Sequence, residues 1–137
     1  MAECVFCDIV AGSVPAFVVT SCADGMAFLD TRPVFKGHVL VVPRPHVAQL
    51  TDLDAALLPG YFGLVQRIAA AVPAALGCTG TFVAINNVVS QSVPHLHTHV
   101  VPRTKGDGLR GFFWPRHRYA NDDEATDHAK RIAAELG

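Results

Sequence analysis

The spacing of apolar positions changes along the chain, and each period assigns an element. Phe6 to Ala11 is a short apolar run closed by Gly12 and followed by Pro15, which predicts no more than a brief helical turn. Phe17 to Thr20 and Met26 to Leu29 are short apolar or β-branched runs separated by Ala23-Asp24-Gly25, the pattern of a hairpin. After the break at Asp30-Thr31-Arg32-Pro33, His38 to Val42 reads as a strand buried on both faces and stopped by Pro43. From Thr51 the pattern lengthens: Leu53, Leu57, Tyr61, Leu64, Ile68 and Val72 recur at three- and four-residue spacing and form one face of a helix. Thr51 or Asp52 would cap it, Pro59 is where it kinks or begins, and Pro73 and Gly77 mark its far end. Thr81 to Ile85 and Leu96 to Val101 are two further strands, joined by the polar stretch Asn86 to Pro94. Finally Asp122, Asp123 and Glu124 precede Ala125, Ala129, Ile132 and Leu136 at helical spacing, with Lys130 and Arg131 late, a charge order that complements a helix dipole.

Five strands, one long helix and a C-terminal helix on short connections predict the α+β class, with a largely antiparallel five-stranded sheet. The 137 residues, 50% hydrophobic and 17% charged, suit one domain spanning 1–137, in which 104–137 is a C-terminal extension. A formal charge of −1 gives no bulk attraction to polyanions and argues against extended nucleic-acid binding, while a small anionic ligand stays open. With no basic segment and apolar stretch at the N-terminus, and no apolar run read as membrane-spanning, the expected location is the cytoplasm. There the four cysteines would be reduced thiols: Cys4 and Cys7 as a close pair suggest a metal more than a disulfide, Cys22 and Cys78 ordinary packing.

His95, His97 and His99 alternate with Leu96, Thr98 and Val100, which in a strand puts three imidazoles on one face. Three adjacent titratable rings are costly to bury without partners, so they point to chemistry. Either they bind a catalytic metal with an open position, or one neutral imidazole attacks phosphorus and forms a covalent intermediate. Gln91 and Ser92 just upstream offer donors to phosphate oxygens, which favours an anionic substrate.

The run Gln91-Ser92-Val93-Pro94-His95-Leu96-His97-Thr98-His99-Val100-Val101-Pro102-Arg103 resembles the signature of the histidine triad superfamily. The likeness extends to Cys4-Val5-Phe6-Cys7-Asp8-Ile9, Ala27-Phe28-Leu29-Asp30, and Gly37-His38-Val39-Leu40-Val41-Val42-Pro43-Arg44-Pro45-His46. It implies a homodimer of α+β subunits that bind a purine nucleotide or dinucleotide, with His97 as nucleophile. His99 and Ser92 would contact the phosphate, Gln91 and Asn86 would lie at the nucleotide, Asp30 would hold the ribose hydroxyls, and His38 would support the site from behind. The attacking ring must be neutral and in one tautomer, and the carbonyl of His95 is the expected acceptor for its other nitrogen. The implied activity is hydrolysis or transfer at a phosphoanhydride or phosphoramidate bond, of the diadenosine polyphosphate hydrolase or nucleoside phosphoramidase type. The alternative is a nucleotide-binding regulator with little turnover. Without the resemblance, Asp30 reads as a turn residue before Arg32-Pro33, and His38 as a structural hydrogen-bonder.

Cys4 and Cys7 alone fill half of a tetrahedral zinc shell. The resemblance supplies the other half, since bacterial members hold structural zinc with such a pair, a histidine like His46 and the first triad histidine. That set is Cys4, Cys7, His46 and His95, against the alternative of reduced, empty cysteines. Members of the superfamily commonly carry glycines between the asparagine and the glutamine, where this chain has Asn86-Asn87-Val88-Val89-Ser90-Gln91, a shorter and stiffer phosphate loop. Gly111 to Tyr119 is aromatic and basic, suited to covering a nucleotide or reaching a partner's site, or else to packing as a docked tail or dimer contact. Arg44 and Arg103 read as surface charges.

Overall fold

Five antiparallel strands in the order β1-β2-β3-β5-β4 form the sheet of the computed structural model, which describes residues 3–109 and 116–136. They belong to β1 (Val18–Cys22), β2 (Gly25–Leu29), β3 (Val39–Val42), β4 (Gly80–Ile85) and β5 (Thr98–Arg103). β1 and β2 make the predicted hairpin, closed by a Cys22–Gly25 pair. At Gly25, with φ of 154°, a side-chain carbon would collide with the carbonyl of Val42, so the tip requires glycine. β3 is buried along its whole length, in keeping with its unbroken apolar run.

The long helix α2 (Leu58–Leu76) lies on one face of this sheet. Its stripe of Tyr61, Leu64, Val65, Ile68 and Val72 packs with Ala27, Val39, Val41, Leu96 and Val100. The segment Ala55–Leu76 is, by length and composition, apolar enough to cross a membrane, contrary to the expectation that no run was. Thr51 and Asp52 do not cap α2. The chain first makes two short 3-10 turns, Leu50–Asp52 and Ala55–Leu57, and the helix starts with Pro59 in its first turn, where a missing N–H costs nothing. Leu57, at the N-cap, provides no side-chain bond. Asp24 at the hairpin tip lies so close to Gly60 that a side chain there would meet its carboxylate, which brings a negative charge to the start of α2. Pro73 and Gly77 mark the far end as the pattern predicts: the helix continues through Pro73 to Leu76 and closes at Gly77, whose N–H donates to the carbonyl of Pro73.

α1 (Val5–Ala11) ends in a left-handed Gly12 whose N–H reaches the carbonyls of Asp8 and Ile9. Its Phe6 packs with Met26, Phe28, Leu40 and Val42 on the sheet face opposite α2. Arg44 is more than a surface charge: it donates to the carbonyl of Cys22 and the hydroxyl of Ser21, both at 2.6 Å. Likewise Arg103 is paired with Asp107 at 2.7 Å.

The chain divides into two units, Met1–Asp107 and Gly108–Gly137. The second contains α3 (Asp122–Glu135), capped by Asn121, which accepts from the Glu124 N–H at 2.9 Å while the Glu124 carboxylate accepts from the Ala120 N–H at 2.9 Å. Ile132 and Leu136 of its apolar stripe are exposed. Most of the aromatic segment Gly111 to Tyr119 lies outside the described residues.

Candidate active site

β5 begins at Thr98, two residues later than its pattern predicts, so of the three histidines only His99 is in the ladder. Before it the chain is held from the side: the Leu96 N–H donates to the Val47 carbonyl at 2.7 Å instead of to a sheet neighbour. The alternation of faces nevertheless holds. Leu96 and Val100 pack under α2, and the hydroxyl of Thr98 meets that of Tyr61 at 2.6 Å. The rings of His95 and His97 lie edge-on to Phe6 of α1, with centroids at 6.0 and 5.1 Å, and His99 stands 5.0 Å from His97. All the alternate partners of Thr98 thus face the α1 side.

The three rings do not converge on one point, which removes the three-histidine metal reading. His97 Nδ1 donates to the carbonyl of His95 at 2.8 Å, as expected, so its Nε2 keeps a free lone pair. His99 is organised differently. The Val34 N–H donates to His38 Nδ1 at 3.1 Å, which places the His38 proton on Nε2, and that group donates to His99 Nδ1 at 2.9 Å. His99 is therefore left with an Nε2–H to offer. Burial lowers its pKa to about 4, with help from His97 and His38 and against the pull of Asp30. Burial also lowers that of His38, again opposed by Asp30. Both rings are neutral near pH 7, so His99 serves as a neutral donor.

His97 and His99 open into a cleft of about 360 Å³. Its polar lining also includes Asp30 and Ser92, and its apolar wall includes Ile9, Phe17, Phe28 and Leu40. Phe28, Leu40 and His99 stand side by side on neighbouring strands, so the apolar floor runs directly into the histidines. Asp30 shows its turn character, one carboxylate oxygen accepting from the Arg32 N–H at 2.9 Å, while the other oxygen lies 3.8 Å from His38.

The loop residues fall differently. Ser92 lines the cleft, but Asn86 and Gln91 do not. Gln91 instead holds the loop in shape, its amide donating to the carbonyl of Ala48 and its oxygen accepting from the Val88 N–H at 3.3 Å. Asn87, which the pattern did not single out, accepts from the Leu50 N–H at 2.9 Å. In this loop Val88 and Ser90 adopt φ of 68° and 62°, a region glycine enters freely and a β-branched residue rarely does.

The second cluster joins four side chains distant in sequence: Cys4, Cys7, His46 and His95 place one ligand atom each within 4.8 Å of one another. Cys7 Sγ lies 3.1 Å from His46 Nδ1 and 3.5 Å from His95 Nδ1, and Cys4 Sγ lies 3.5 Å from His95 Nδ1. Tetrahedral zinc with thiolate and imidazole ligands has sulfur-to-nitrogen edges of about 3.5 Å. His95 is fully buried and its Nε2–H donates to the Pro43 carbonyl at 3.1 Å, which turns Nδ1 toward the sulfurs. Cys4 also caps α1, accepting from the Cys7 N–H at 3.3 Å. Burial and the adjacent Cys4 push the Cys7 thiol up to about 11. The donor set and its spacing are compatible with zinc.

Residues 11–106 match the family model described as HIT domain. The fold is similar to that of a HIT family protein from Bacillus subtilis, with a TM-score of 0.91, 32% identity and 99% of each chain covered. A zinc-bound histidine triad family protein from Mycobacterium smegmatis is 36% identical, with a TM-score of 0.74, over 98% of this chain and 95% of that one. An adenosine 5'-monophosphoramidase of Schizosaccharomyces pombe is 33% identical over 115 residues, 82% of this chain and 84% of the relative.

Proposed function

The chain belongs to the HIT domain family, and from that premise we propose that it is a nucleotide hydrolase or transferase acting through a covalent histidine–nucleotide intermediate on His97. The observation that carries this reading is the bond from His97 Nδ1 to the His95 carbonyl at 2.8 Å, which keeps the other nitrogen unprotonated in a cleft shared with the His99 donor. In the first step the His97 Nε2 lone pair forms a bond to phosphorus, and the bond from phosphorus to the leaving oxygen or nitrogen breaks, its electron pair staying with the leaving atom and a leaving nitrogen taking up a proton from solvent. The imidazole that results is cationic, and the His95 carbonyl that accepts from Nδ1 stabilises it. The His99 Nε2–H and the Ser92 hydroxyl stabilise charge on the phosphoryl oxygens. Water then attacks the same phosphorus and loses a proton to solvent, the bond from His97 Nε2 to phosphorus breaks with its electron pair returning to the ring, and a nucleoside monophosphate leaves. A second acceptor in place of water makes the reaction a transfer.

A purine nucleoside fits the remainder of the cleft, with the base on the apolar wall and the ribose hydroxyls on Asp30. Gln91 then acts through the shape of the phosphate loop. Cys4, Cys7, His46 and His95 would hold zinc. Bound there, zinc supplies a cross-link and no open coordination position, because four protein ligands complete a tetrahedral shell. The family's homodimer is part of the reading, and the edge strand β4 with its exposed Val83 offers a surface for it.

The test is release of nucleoside monophosphate from diadenosine polyphosphates and from adenosine phosphoramidates, in the wild type and in His97→Ala. Release by the wild type and a fall of at least about a thousandfold in the variant, with nucleotide still bound, is the expected result. Tight nucleotide binding without release from any of these substrates would instead identify a nucleotide-binding regulator.

A further inference from the structure

α1 is only seven residues long, and its residues are divided between two sites. Cys4 at its cap and Cys7 one turn later face His46 and His95, while Val5, Phe6 and Ile9 line the cleft. Phe6, between the two cysteines, is 7% exposed and touches the rings of both His95 and His97 edge-on, as well as Phe28 at 5.4 Å. A second connection runs through His95 itself, whose Nδ1 belongs to the cysteine cluster and whose carbonyl holds His97.

We propose that Phe6 is a positioning residue that couples metal binding at Cys4, Cys7, His46 and His95 to nucleotide binding at His97, so that each ligand raises affinity for the other. The proposal rests on the zinc and nucleotide readings above. Its physical basis is that a helix this short has little stability of its own. Fixing both cysteines at one metal fixes the angle of Phe6, and Phe6 closes one side of the cleft and limits the tilt of the His97 ring. A nucleotide resting against Val5, Phe6 and Ile9 orders the same helix from its other side. Coupling of this kind is reciprocal by thermodynamic necessity.

The experiment measures zinc affinity by chelator competition with and without saturating adenosine monophosphate, and adenosine monophosphate affinity at low and at saturating free zinc, on the full chain. The expected result is one factor, about five-fold or more, found in both directions. Phe6→Ala should bring that factor close to one while both ligands still bind. Phe6→Leu, which keeps the helix packed on Met26 and Phe28, should lower it. A factor of one in the wild type with both ligands bound overturns the proposal and leaves the two sites standing as independent. An undiminished factor in Phe6→Leu overturns the assignment to Phe6 and leaves the His95 carbonyl as the connection. Absence of zinc binding, or of adenosine monophosphate binding, overturns the proposal together with the reading it rests on.

Discussion

Tyr61 and Thr98 offer the sharpest test of how the long helix holds the histidine segment in register. Tyr61 is 1% exposed, and its hydroxyl lies 2.8 Å from the Val41 carbonyl and 2.6 Å from the Thr98 hydroxyl. A carbonyl only accepts, so Tyr61 donates to Val41 and Thr98 donates to Tyr61. Tyr61→Phe keeps the ring and its packing but leaves two buried groups without this partner. A buried group deprived of its partner costs roughly 1–3 kcal/mol, and the Thr98 hydroxyl can turn to recover part of that, so the expected loss is about 2 kcal/mol. Thr98→Val removes a donor and leaves the bond to Val41 in place, for an expected loss of about 1 kcal/mol. Together they should cost about 2 kcal/mol, less than the sum, because the second change removes a group the first had stranded. Urea unfolding of the four proteins, read as a midpoint change at constant slope, measures all three values. A loss below about 0.5 kcal/mol for Tyr61→Phe, or strict additivity in the double variant, would refute the reasoning.

Two further outcomes follow from the loop and from the buried rings. Val88 is 68% exposed and left-handed, so Val88→Gly should relieve backbone strain at little packing cost. Strain of about 1–2 kcal/mol set against the greater freedom of glycine in the unfolded chain leaves a net gain of about 0.5–1 kcal/mol; a lower melting temperature would contradict it. His99 takes up a proton near pH 4 when folded and near the ordinary histidine value of 6.5 when unfolded. As pH falls from 6.5 toward 4 the unfolded chain binds the proton and the folded chain does not, so stability present above this window is lost through it. Allowing for solvent screening the loss is on the order of 1–2 kcal/mol, and His99→Asn should flatten the stability profile across that window; an unchanged slope would count against the burial argument.

The long helix is legible because its apolar stripe recurs over several turns, the strands because they are compact apolar runs, and the hairpin because Asp24-Gly25 separates a β-branched run from an apolar one. Element ends are less so. Nothing in the pattern separates two 3-10 turns from a first helical turn at Thr51, and the start of β5 depends on whether Leu96 bonds across the sheet or to Val47. Within the site the histidines and Asp30 announce themselves by spacing and resemblance, whereas Phe6 reads as one apolar residue among several. Its signal was its position between two cysteines, which only becomes meaningful once those cysteines share a cluster with His46 and His95. The side chain of Gln91 shows the opposite limit. Its residue type suits a phosphate, but a carbonyl at Ala48 and an N–H at Val88 lie close enough to engage it first.

The strict alternation from His95 to Val100 constrains how this protein can change over evolutionary time. Odd positions face the α1 side, where His97 and His99 line the cleft and His95 meets the cysteines, and even positions face α2, so tolerance to substitution should follow parity, with imidazole demanded at one set and small or apolar groups at the other. Inserting or deleting a single residue between His95 and His99 would exchange part of the two sets, moving imidazoles against Tyr61 and Leu64 and aliphatic groups into the cleft. Both folding and chemistry would fail in one event. A change of length should instead be tolerated in the segment before Pro94, where the side chains do not alternate between two packed faces.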